Sequence, residues 1–363
     1  MPPIRVLVVD DSVISRQVLE RILTSDPDIS VIGEAANGET AILMAATKQP
    51  DIIVMDIIMP VMNGFHATRT IMENSPVPII IVSAIEDHKE VGIIFQAMQA
   101  GALACMRKPS GPGSPTFDQD ARELLQTVKS MAEIKVVRRR PSVSAGGISR
   151  PATPPGAGID LTGRKIVAIG VSTGGPVVLQ EILSLLPGNF PLPIVIVQHI
   201  AGGFYQGFSD WLASASGYQV CLGTDRSPLL PGIAYIAPEG FQTGIDPLFR
   251  LRFLGSETEN ALRPSVAQLF RSLAGNWGKA TVAILLTGMG RDGATELKIL
   301  RDHGALTIVQ DKESALVYGM PGEAVRLDAA DYILNPQGIA DLLRQIGEKT
   351  KPDNEKTPNT ERD

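Results

Sequence analysis

The sequence has few cysteines and no long apolar run. Its two cysteines, Cys105 and Cys221, fall in different predicted domains, so we expect no disulfide framework and a reducing compartment. No apolar run approaches the roughly 20 residues that a membrane-spanning helix needs. The first residues lead directly into a strand-like run, without the charged and apolar segments of a secretory signal. We therefore expect a cytoplasmic protein that does not insert into a membrane.

Neither positive nor negative charge is in large excess. The chain carries 33 Lys and Arg against 39 Asp and Glu, a formal net charge of -6. Because no basic excess is present, we expect no nucleic-acid partner. The one basic cluster, residues 138–140, lies within residues 138–158, which are rich in Arg, Pro, Ser, Gly and Ala and have no apolar period. That composition predicts a flexible linker between two domains.

Before this linker, strand-length apolar runs alternate with helical patterns. Parallel neighbouring strands need crossover connections, so the alternation predicts a parallel sheet with helices on both faces. Five such units in about 125 residues favour an α/β fold of the flavodoxin-like (βα)5 type. Strands are predicted over residues 4–9, 31–32, 52–55, 79–82 and 103–106, and helices over 13–23, 39–47, 88–99 and 118–134.

The same alternation resumes after the linker and predicts a second, doubly wound and mainly parallel α/β domain. Its strands are expected over residues 166–169, 194–197, 233–236, 282–286 and 306–309, and its helices over 177–186, 204–213, 265–273 and 294–302. The polar end of the chain predicts disorder. We divide the chain into a first domain, a helix end with a flexible linker, a second domain and a disordered tail, over residues 1–125, 126–160, 161–347 and 348–363.

Polar side chains follow the predicted strands of the first domain. Asp10 and Asp11 follow the first strand, Asp56 the third, Ser83 the fourth and Lys108 the fifth. Carboxylates gathered at one sheet edge repel one another, and Mg²⁺ with its preference for oxygen ligands relieves that repulsion. Such a site can accept a phosphoryl group on a carboxylate oxygen. Helix capping is the alternative for any one aspartate taken alone.

With its acidic pair, central aspartate, serine and Lys-Pro, the first domain resembles the receiver domain of response regulators. The resemblance implies a histidine kinase as phosphodonor and Mg²⁺ as cofactor. It implies the following site: Asp56 as phospho-acceptor, Mg²⁺ held by Asp11, Asp56 and the Ile58 carbonyl with Asp10 as an outer ligand, and Ser83 and Lys108 contacting the phosphoryl group.

In the second domain, residues 170–175 read GVSTGG and stand between a predicted strand and a predicted helix. They fit Gly-x-Ser-x-Gly, the nucleophile elbow, in which the turn exposes the hydroxyl of Ser172 and the helix N-terminus stabilises developing negative charge. A Gly-rich turn between strand and helix can also bind phosphate. The motif alone leaves a hydrolase and a phosphate-binding turn open.

Two further residues follow strands at the same predicted edge. His199 comes after strand 194–197 and is the obvious base for an exposed serine, whereas His303 near a helix end is expected to be structural. Asp292 lies in a Gly-rich loop after strand 282–286, where it can orient the imidazole or cap the next helix. The order Ser, His, Asp differs from that of α/β-hydrolases, so we expect an independent frame.

Residues 161–345 resemble the catalytic domain of chemotaxis protein-glutamate methylesterases, the CheB family. The resemblance implies that Ser172 is the nucleophile, His199 the base and Asp292 its orienting partner, with the amides of Thr173 and Met289 as oxyanion donors and no cofactor in this domain. It implies that methyl esters, and glutamines, on chemoreceptor cytoplasmic domains are the substrates, and that the unphosphorylated receiver covers the catalytic face. The matching stretches are residues 172–175, 198–199, 231–238, 263–266, 287–294 and 318–321.

Three positions depart from these families. Receivers usually carry Phe or Tyr where Cys105 stands, and the methylesterases usually carry His and Asp where Gln242 and Ala267 stand. The departures leave open a second hypothesis, a catalytically silent adaptor or phosphate sink in a chemosensory array. A phosphate- or nucleotide-binding α/β domain is a third.

Overall fold

The computed structural model describes residues 2–84, 88–134, 136, 160–255 and 262–350. The flexible linker predicted over residues 138–158 lies outside the described residues, as do residues 351–363 of the predicted tail.

The first domain is a five-stranded parallel sheet in the order β2-β1-β3-β4-β5. This order confirms the flavodoxin-like (βα)5 prediction, with the chain reversing its winding direction between β1 and β3. The strands are β1 (Ile4–Val9), β2 (Ile29–Ala35), β3 (Ile52–Asp56), β4 (Ile79–Ser83) and β5 (Ala104–Arg107), and the helices are α1 (Val13–Leu23), α2 (Gly38–Lys48), α3 (Gly64–Asn74), α4 (His88–Ala100) and α5 (Phe117–Ala132).

Helix α3 is absent from the sequence-based prediction, because Asn63-Gly64 resembles a turn. In the structure the Asn63 side chain caps the helix by accepting a hydrogen bond from His66 N at 3.0 Å. Ala67, Ile71 and their helical neighbours form the buried face. The same Asn-Gly pair therefore begins a helix, since the following residues can bury an apolar face.

Gly64 is required by a close approach of two backbone segments. Its amide donates to Ile57 O at 2.9 Å, and a Cβ built at this position would lie 2.3 Å from Asp56 O. Only a residue without a side chain lets α3 begin this close to the end of β3.

The second domain contains a seven-stranded parallel sheet in the order β14-β13-β12-β6-β7-β9-β8 and an antiparallel pair, β10-β11. The prediction of a doubly wound, mainly parallel sheet is confirmed, and the winding reverses between β6 and β12. The strands are β6 (Ile166–Val171), β7 (Ile194–Gln198), β8 (Gln219–Leu222), β9 (Ile233–Ile236), β10 (Gln242–Ile245), β11 (Leu251–Leu254), β12 (Thr281–Leu285), β13 (Leu306–Gln310) and β14 (Tyr332–Leu334).

Six helices cover this sheet in the described part of the chain. They are α6 (Gly175–Ser184), α7 (Tyr205–Ser216), α8 (Val266–Asn276), α9 (Ala294–Asp302), α10 (Met320–Arg326) and α11 (Pro336–Thr350). Helix α11 extends through residues 348–350, which the sequence-based division wrongly assigned to the tail. None of the helices in the described residues is both long and apolar enough to cross a membrane.

The two domains pack together through α4 of the first and α7 of the second. Phe95 on α4 is fully buried, and its ring lies 5.2 Å from that of Phe208 and 5.0 Å from that of Trp211. Aromatic pairs at these distances add to the stabilisation that burial alone provides. This aromatic cluster fixes the α4 face of the first domain against the second.

Replacing Gly64 with Ala should lower the free energy of unfolding of the first domain by about 2 kcal/mol, because the new Cβ would overlap backbone atoms that cannot move aside. Gly92 in α4 is the matched control: a Cβ there meets nothing within 4 Å. Gly92→Ala should stabilise by about 0.5–1 kcal/mol through its helix propensity. Differential scanning calorimetry of the full chain measures both; equal melting temperatures for the two variants would contradict the close approach at Gly64.

Candidate active site

The acidic residues of the first domain meet at the carboxyl edge of its sheet. Asp10 follows β1 and Asp56 ends β3, with only 0% and 4% of their surface exposed, whereas Asp11 is exposed. One ligand atom from each of the three lies within 4.8 Å of the others. Two buried carboxylates and one exposed carboxylate offer the oxygen donors that suit Mg²⁺.

Lys108 joins this group from the end of β5. Its Nζ lies 2.8 Å from Asp10 Oδ2 and 2.8 Å from Asp56 Oδ2. Burial raises the pKa of Asp56, and the negative charge of Asp10 raises it as well. Lys108 lowers this pKa, but the net shift is upward. Burial alone would lower the pKa of Lys108, but hydrogen bonds to the two carboxylates outweigh it, so the lysine stays charged.

The remaining predicted residues of this site lie around the same edge. Ile57 N donates to Asp56 Oδ1 at 2.7 Å, which leaves Asp56 Oδ2 facing Lys108. Ser83 is buried at the end of β4, and its carbonyl accepts from Lys108 N at 3.0 Å. Ile58, next in the chain after Ile57, is 44% exposed. The acidic cluster and Lys108 are thus in direct contact, with Ser83 on the neighbouring strand.

In the second domain, Ser172 stands in the turn between β6 and α6. Its amide donates to Thr287 O at 3.0 Å, and Gly174 adopts a left-handed φ of 82°. A Cβ at Gly288 would lie 2.6 Å from Ser172 Cβ. The glycines of both loops are therefore needed to bring the loop after β12 against the turn that carries the serine.

His199 is held beside this turn by the end of β7. Its amide donates to Val171 O at 3.0 Å, and the neighbouring Gln198 donates from Nε2 to Ser172 O at 2.9 Å and to His199 O at 2.8 Å. The Gln198 side chain thus ties the serine turn to the histidine backbone. The sequence identifies Gln198 only as part of a family motif, because its hydrogen bond to Ser172 O joins residues 26 positions apart.

Asp292 is 7% exposed and accepts hydrogen bonds from two backbone amides at the start of α8, those of Val266 at 2.6 Å and Ala267 at 3.1 Å. His199 Nε2 lies 3.0 Å from its Oδ2. Burial raises the pKa of Asp292. His199 and the two amides lower this pKa by more than burial raises it, so the net shift is downward. Because Ala267 contributes its amide, the contact does not depend on that residue's side chain.

The two ring nitrogens of His199 have different surroundings. Nε2 faces the Asp292 carboxylate, so Nδ1 is the ring nitrogen left to contact another group. Although His199 Nε2 approaches Asp292 Oδ2 to 3.0 Å, it forms no well-aligned hydrogen bond among the described residues, a looseness common in active sites without substrate. His303 has a different environment: its Nδ1 lies 2.8 Å from Ile299 O at the end of α9.

A cleft of about 270 Å³ opens over these residues. Ser172, His199, Thr173 and Met289 line it from the second domain. In the described part of the chain, the amides of Thr173 and Met289 have no hydrogen-bond partner, so both are free to donate to a bound group. Donors of this kind stabilise an oxyanion when they point to where it forms.

The opposite wall of the cleft comes from the first domain, from α4, β5 and α5. Met98, Cys105 and Met131 lie there, facing the serine and histidine loops. Burial raises the pKa of the Cys105 thiol to about 12, so it remains neutral. The residue at the position of the usual receiver aromatic therefore lines the cleft as a small apolar group.

Two family models match the chain: the response regulator receiver domain over residues 6–114 and CheB methylesterase over residues 167–343. The chain is 46% identical, over 352 residues, to protein-glutamate methylesterase/protein-glutamine glutaminase 2 of Methanospirillum hungatei, covering 95% of this chain and 99% of the relative. It is 46% identical, over 354 residues, to the similarly named protein 1 of Syntrophus aciditrophicus, covering 96% and 100%. The likeness extends across both domains in the same order.

Replacing Asp292 with Asn should destabilise the second domain by about 1–3 kcal/mol at neutral pH, because an amide nitrogen would face donors at the start of α8. The lowered pKa gives the wild-type carboxylate a stabilising effect that is complete above its unfolded value of roughly 3.9 and is lost as pH falls through the lower folded value. The difference in unfolding free energy should therefore stay constant down to about pH 5 and shrink in acid.

Urea unfolding at a series of pH values measures this difference. The control is Asp302→Asn on α9, where the side chain is exposed and pairs with Lys298. This variant should change stability by less than about 0.5 kcal/mol. A pH-independent difference for Asp292→Asn would contradict the account of its carboxylate.

Proposed function

The chain belongs to the CheB family of protein-glutamate methylesterases/protein-glutamine glutaminases, hydrolases of chemotaxis controlled by a receiver domain, and we propose that Ser172, His199 and Asp292 are the catalytic triad of this member. The observation that carries the proposal is the Asp292 carboxylate, held by two amides and 3.0 Å from His199 Nε2 in the cleft that Ser172 lines. A catalytically silent adaptor is not favoured, since the relatives named above are enzymes.

In the proposed reaction Ser172 Oγ attacks the γ-carbonyl carbon of a glutamate methyl ester on a chemoreceptor cytoplasmic domain. His199 Nδ1 takes the hydroxyl proton as the new C–O bond forms and gives it to the departing methanol oxygen. Asp292 keeps the proton on Nε2 and stabilises the imidazolium that forms. The amides of Thr173 and Met289 donate to the oxyanion of the tetrahedral intermediate.

The second half of the reaction regenerates the serine. Water, deprotonated by His199, attacks the acyl-enzyme, and the product is a glutamate carboxylate with Ser172 released. Glutamine follows the same course with ammonia as leaving group, so one set of residues serves both activities.

We propose Asp56 as the phospho-acceptor, with a chemotaxis histidine kinase as donor in the cytoplasm. Asp10, Asp11, Asp56 and the Ile58 carbonyl would hold Mg²⁺, which when bound neutralises charge on the phosphoryl oxygens. Ser83 and Lys108 would contact those oxygens. Lys108 already bridges Asp10 and Asp56, so a phosphoryl group on Asp56 would compete for the same cation.

Control would follow from the packing of the two domains. Met98, Cys105 and Met131 of the receiver stand over the cleft that contains Ser172, so a receptor segment cannot reach the serine in this arrangement without displacing them. Phosphorylation must then favour an arrangement in which the receiver has moved away, by stabilising it relative to the packed one.

The esterase is tested by methanol release from methylated chemoreceptor membranes. Ser172→Ala should lower release at least about a thousand-fold while leaving the melting temperature unchanged. Ser184→Ala, on the exposed side of α6, is the control and should retain full activity. Acetyl phosphate with Mg²⁺ should raise release by the wild type but not by Asp56→Asn. Release by Ser172→Ala at the wild-type rate would overturn the triad.

Phe95→Ala should raise methanol release without phosphodonor by about tenfold, because losing a buried aromatic contact with Phe208 and Trp211 weakens the packed arrangement. Leu43→Ala on α2, where the side chain is 64% exposed, should leave basal release unchanged. The variant's uptake of phosphate from acetyl phosphate checks that its receiver is folded. Unchanged basal release by a Phe95→Ala protein that still takes up phosphate would contradict the covering role of this face.

A further inference from the structure

Strand β10 begins directly against the start of α8. Gln242, its first residue, is 4% exposed, and its Oε1 accepts from Ser265 N at 2.9 Å and from Ser265 Oγ at 3.1 Å. Its Nε2 donates to Leu262 O at 2.8 Å. Because Ser265 supplies the donors and Leu262 the acceptor, the amide has only one orientation that satisfies all three contacts.

Ser265 connects this amide to the active site. It is the N-cap of α8, where its Oγ accepts from Gln268 N at 3.2 Å. The next two residues are Val266 and Ala267, whose amides hold the Asp292 carboxylate. Gln242 is therefore connected to Asp292 indirectly: it binds Ser265, and the amides of the next two residues bind the Asp292 carboxylate.

The start of α8 is also fixed from its opposite side. Val266 packs into space left by two glycines. A Cβ at Gly170 would lie 2.2 Å from Val266 Cγ1, and a Cβ at Gly293 would lie 2.3 Å from the same atom. Gly170 precedes the serine turn by one residue and Gly293 follows Asp292. A shift of Val266 would therefore displace both the nucleophile loop and the aspartate loop.

Strand β10 is bonded to α8 at a second point and to β11 along its length. Its last residue, Ile245, donates from N to Ser272 Oγ at 3.0 Å, further along α8. Gln242 and Ile245 thus attach the two ends of one strand to one helix, and β11 pairs with β10 along its length. The Leu262 carbonyl, which Gln242 holds, belongs to a residue that lines the cleft above Ser172.

We propose that Gln242 is a positioning residue for hydrolysis: it fixes the N-terminus of α8, whose amides aim the Asp292 carboxylate at His199. The proposal rests on the triad proposed above. It also explains how this position tolerates a change from the family's usual histidine, because a neutral imidazole offers one acceptor and one donor for the same partners. Gln242 itself touches neither Ser172 nor His199 through any hydrogen bond in the described residues.

The test compares three substitutions in the full chain with acetyl phosphate and Mg²⁺, measuring kcat and KM for methanol release. Gln242→Met keeps the length of the side chain and removes its hydrogen bonds. Because the catalytic groups would then be misplaced, kcat should fall about 10- to 100-fold with KM unchanged. Gln242→His should recover most of the wild-type kcat.

The third variant is Thr243→Val, the matched control on the same strand. Thr243 is fully buried, and its Oγ1 has no hydrogen-bond partner among the described residues. It should match the wild type in kcat. Thermal unfolding of every variant separates loss of fold from loss of positioning, and if Gln242→Met fails to fold, Gln242→Glu, which keeps the acceptor and loses the donor, replaces it.

A double-mutant cycle distinguishes positioning from general weakening. If Gln242 acts through Asp292, Gln242→Met should reduce kcat little further in an Asp292→Asn background, measured at high enzyme concentration. Equal kcat for Gln242→Met and Thr243→Val, or fully additive losses in the cycle, would overturn the inference while the triad stands. Full activity in Ser172→Ala would instead remove the triad on which it rests.

Discussion

The second domain depends on how a buried carboxylate is stabilised. Asp292 is almost fully enclosed, and a carboxylate in that position is costly unless its oxygens are paired. Two amides of α8 and the His199 ring supply the partners. The start of α8 must therefore lie beside Asp292, and glycines at positions 170 and 293 leave the space that Val266 occupies there. Nε2 is the ring nitrogen of His199 that faces the carboxylate.

Both domains build their sites by the same topological rule. In each, a parallel sheet reverses its winding direction, and the loops that diverge there leave room for polar side chains. In the receiver the reversal lies between β1, which Asp10 follows, and β3, which ends at Asp56. In the hydrolase it lies between β6 and β12, which lead to Ser172 and Asp292. The two edges differ in chemistry: one gathers carboxylates around a lysine, and the other brings a serine and an imidazole to one cleft, with a carboxylate beside the imidazole.

The sequence predicted what depends on local pattern. The largely apolar segments Ile4–Val9 and Ile166–Val171 are examples of the pattern that identified the sheets, and strand ends located the polar residues. Helix α3 was missed because Asn63-Gly64 has the local chemistry of a turn. The β10-β11 pair was missed because neither of its strands, QTGI and LRFL, is a continuous apolar run. The amides that hold Asp292 and the bonds of Gln198 and Gln242 join residues 20 or more positions apart in most cases, which no local pattern reveals.

In the proposed mechanism His199 and Asp292 activate a serine that the receiver covers. Mass spectrometry of the full chain after exposure to a fluorophosphonate, with peptide mapping of the adduct, tests it most directly. We expect a single adduct on Ser172, formed faster with acetyl phosphate and Mg²⁺ and at least about a thousand-fold more slowly in His199→Ala. An adduct on another residue, or labelling of Ser172 at the same rate without His199, would contradict it.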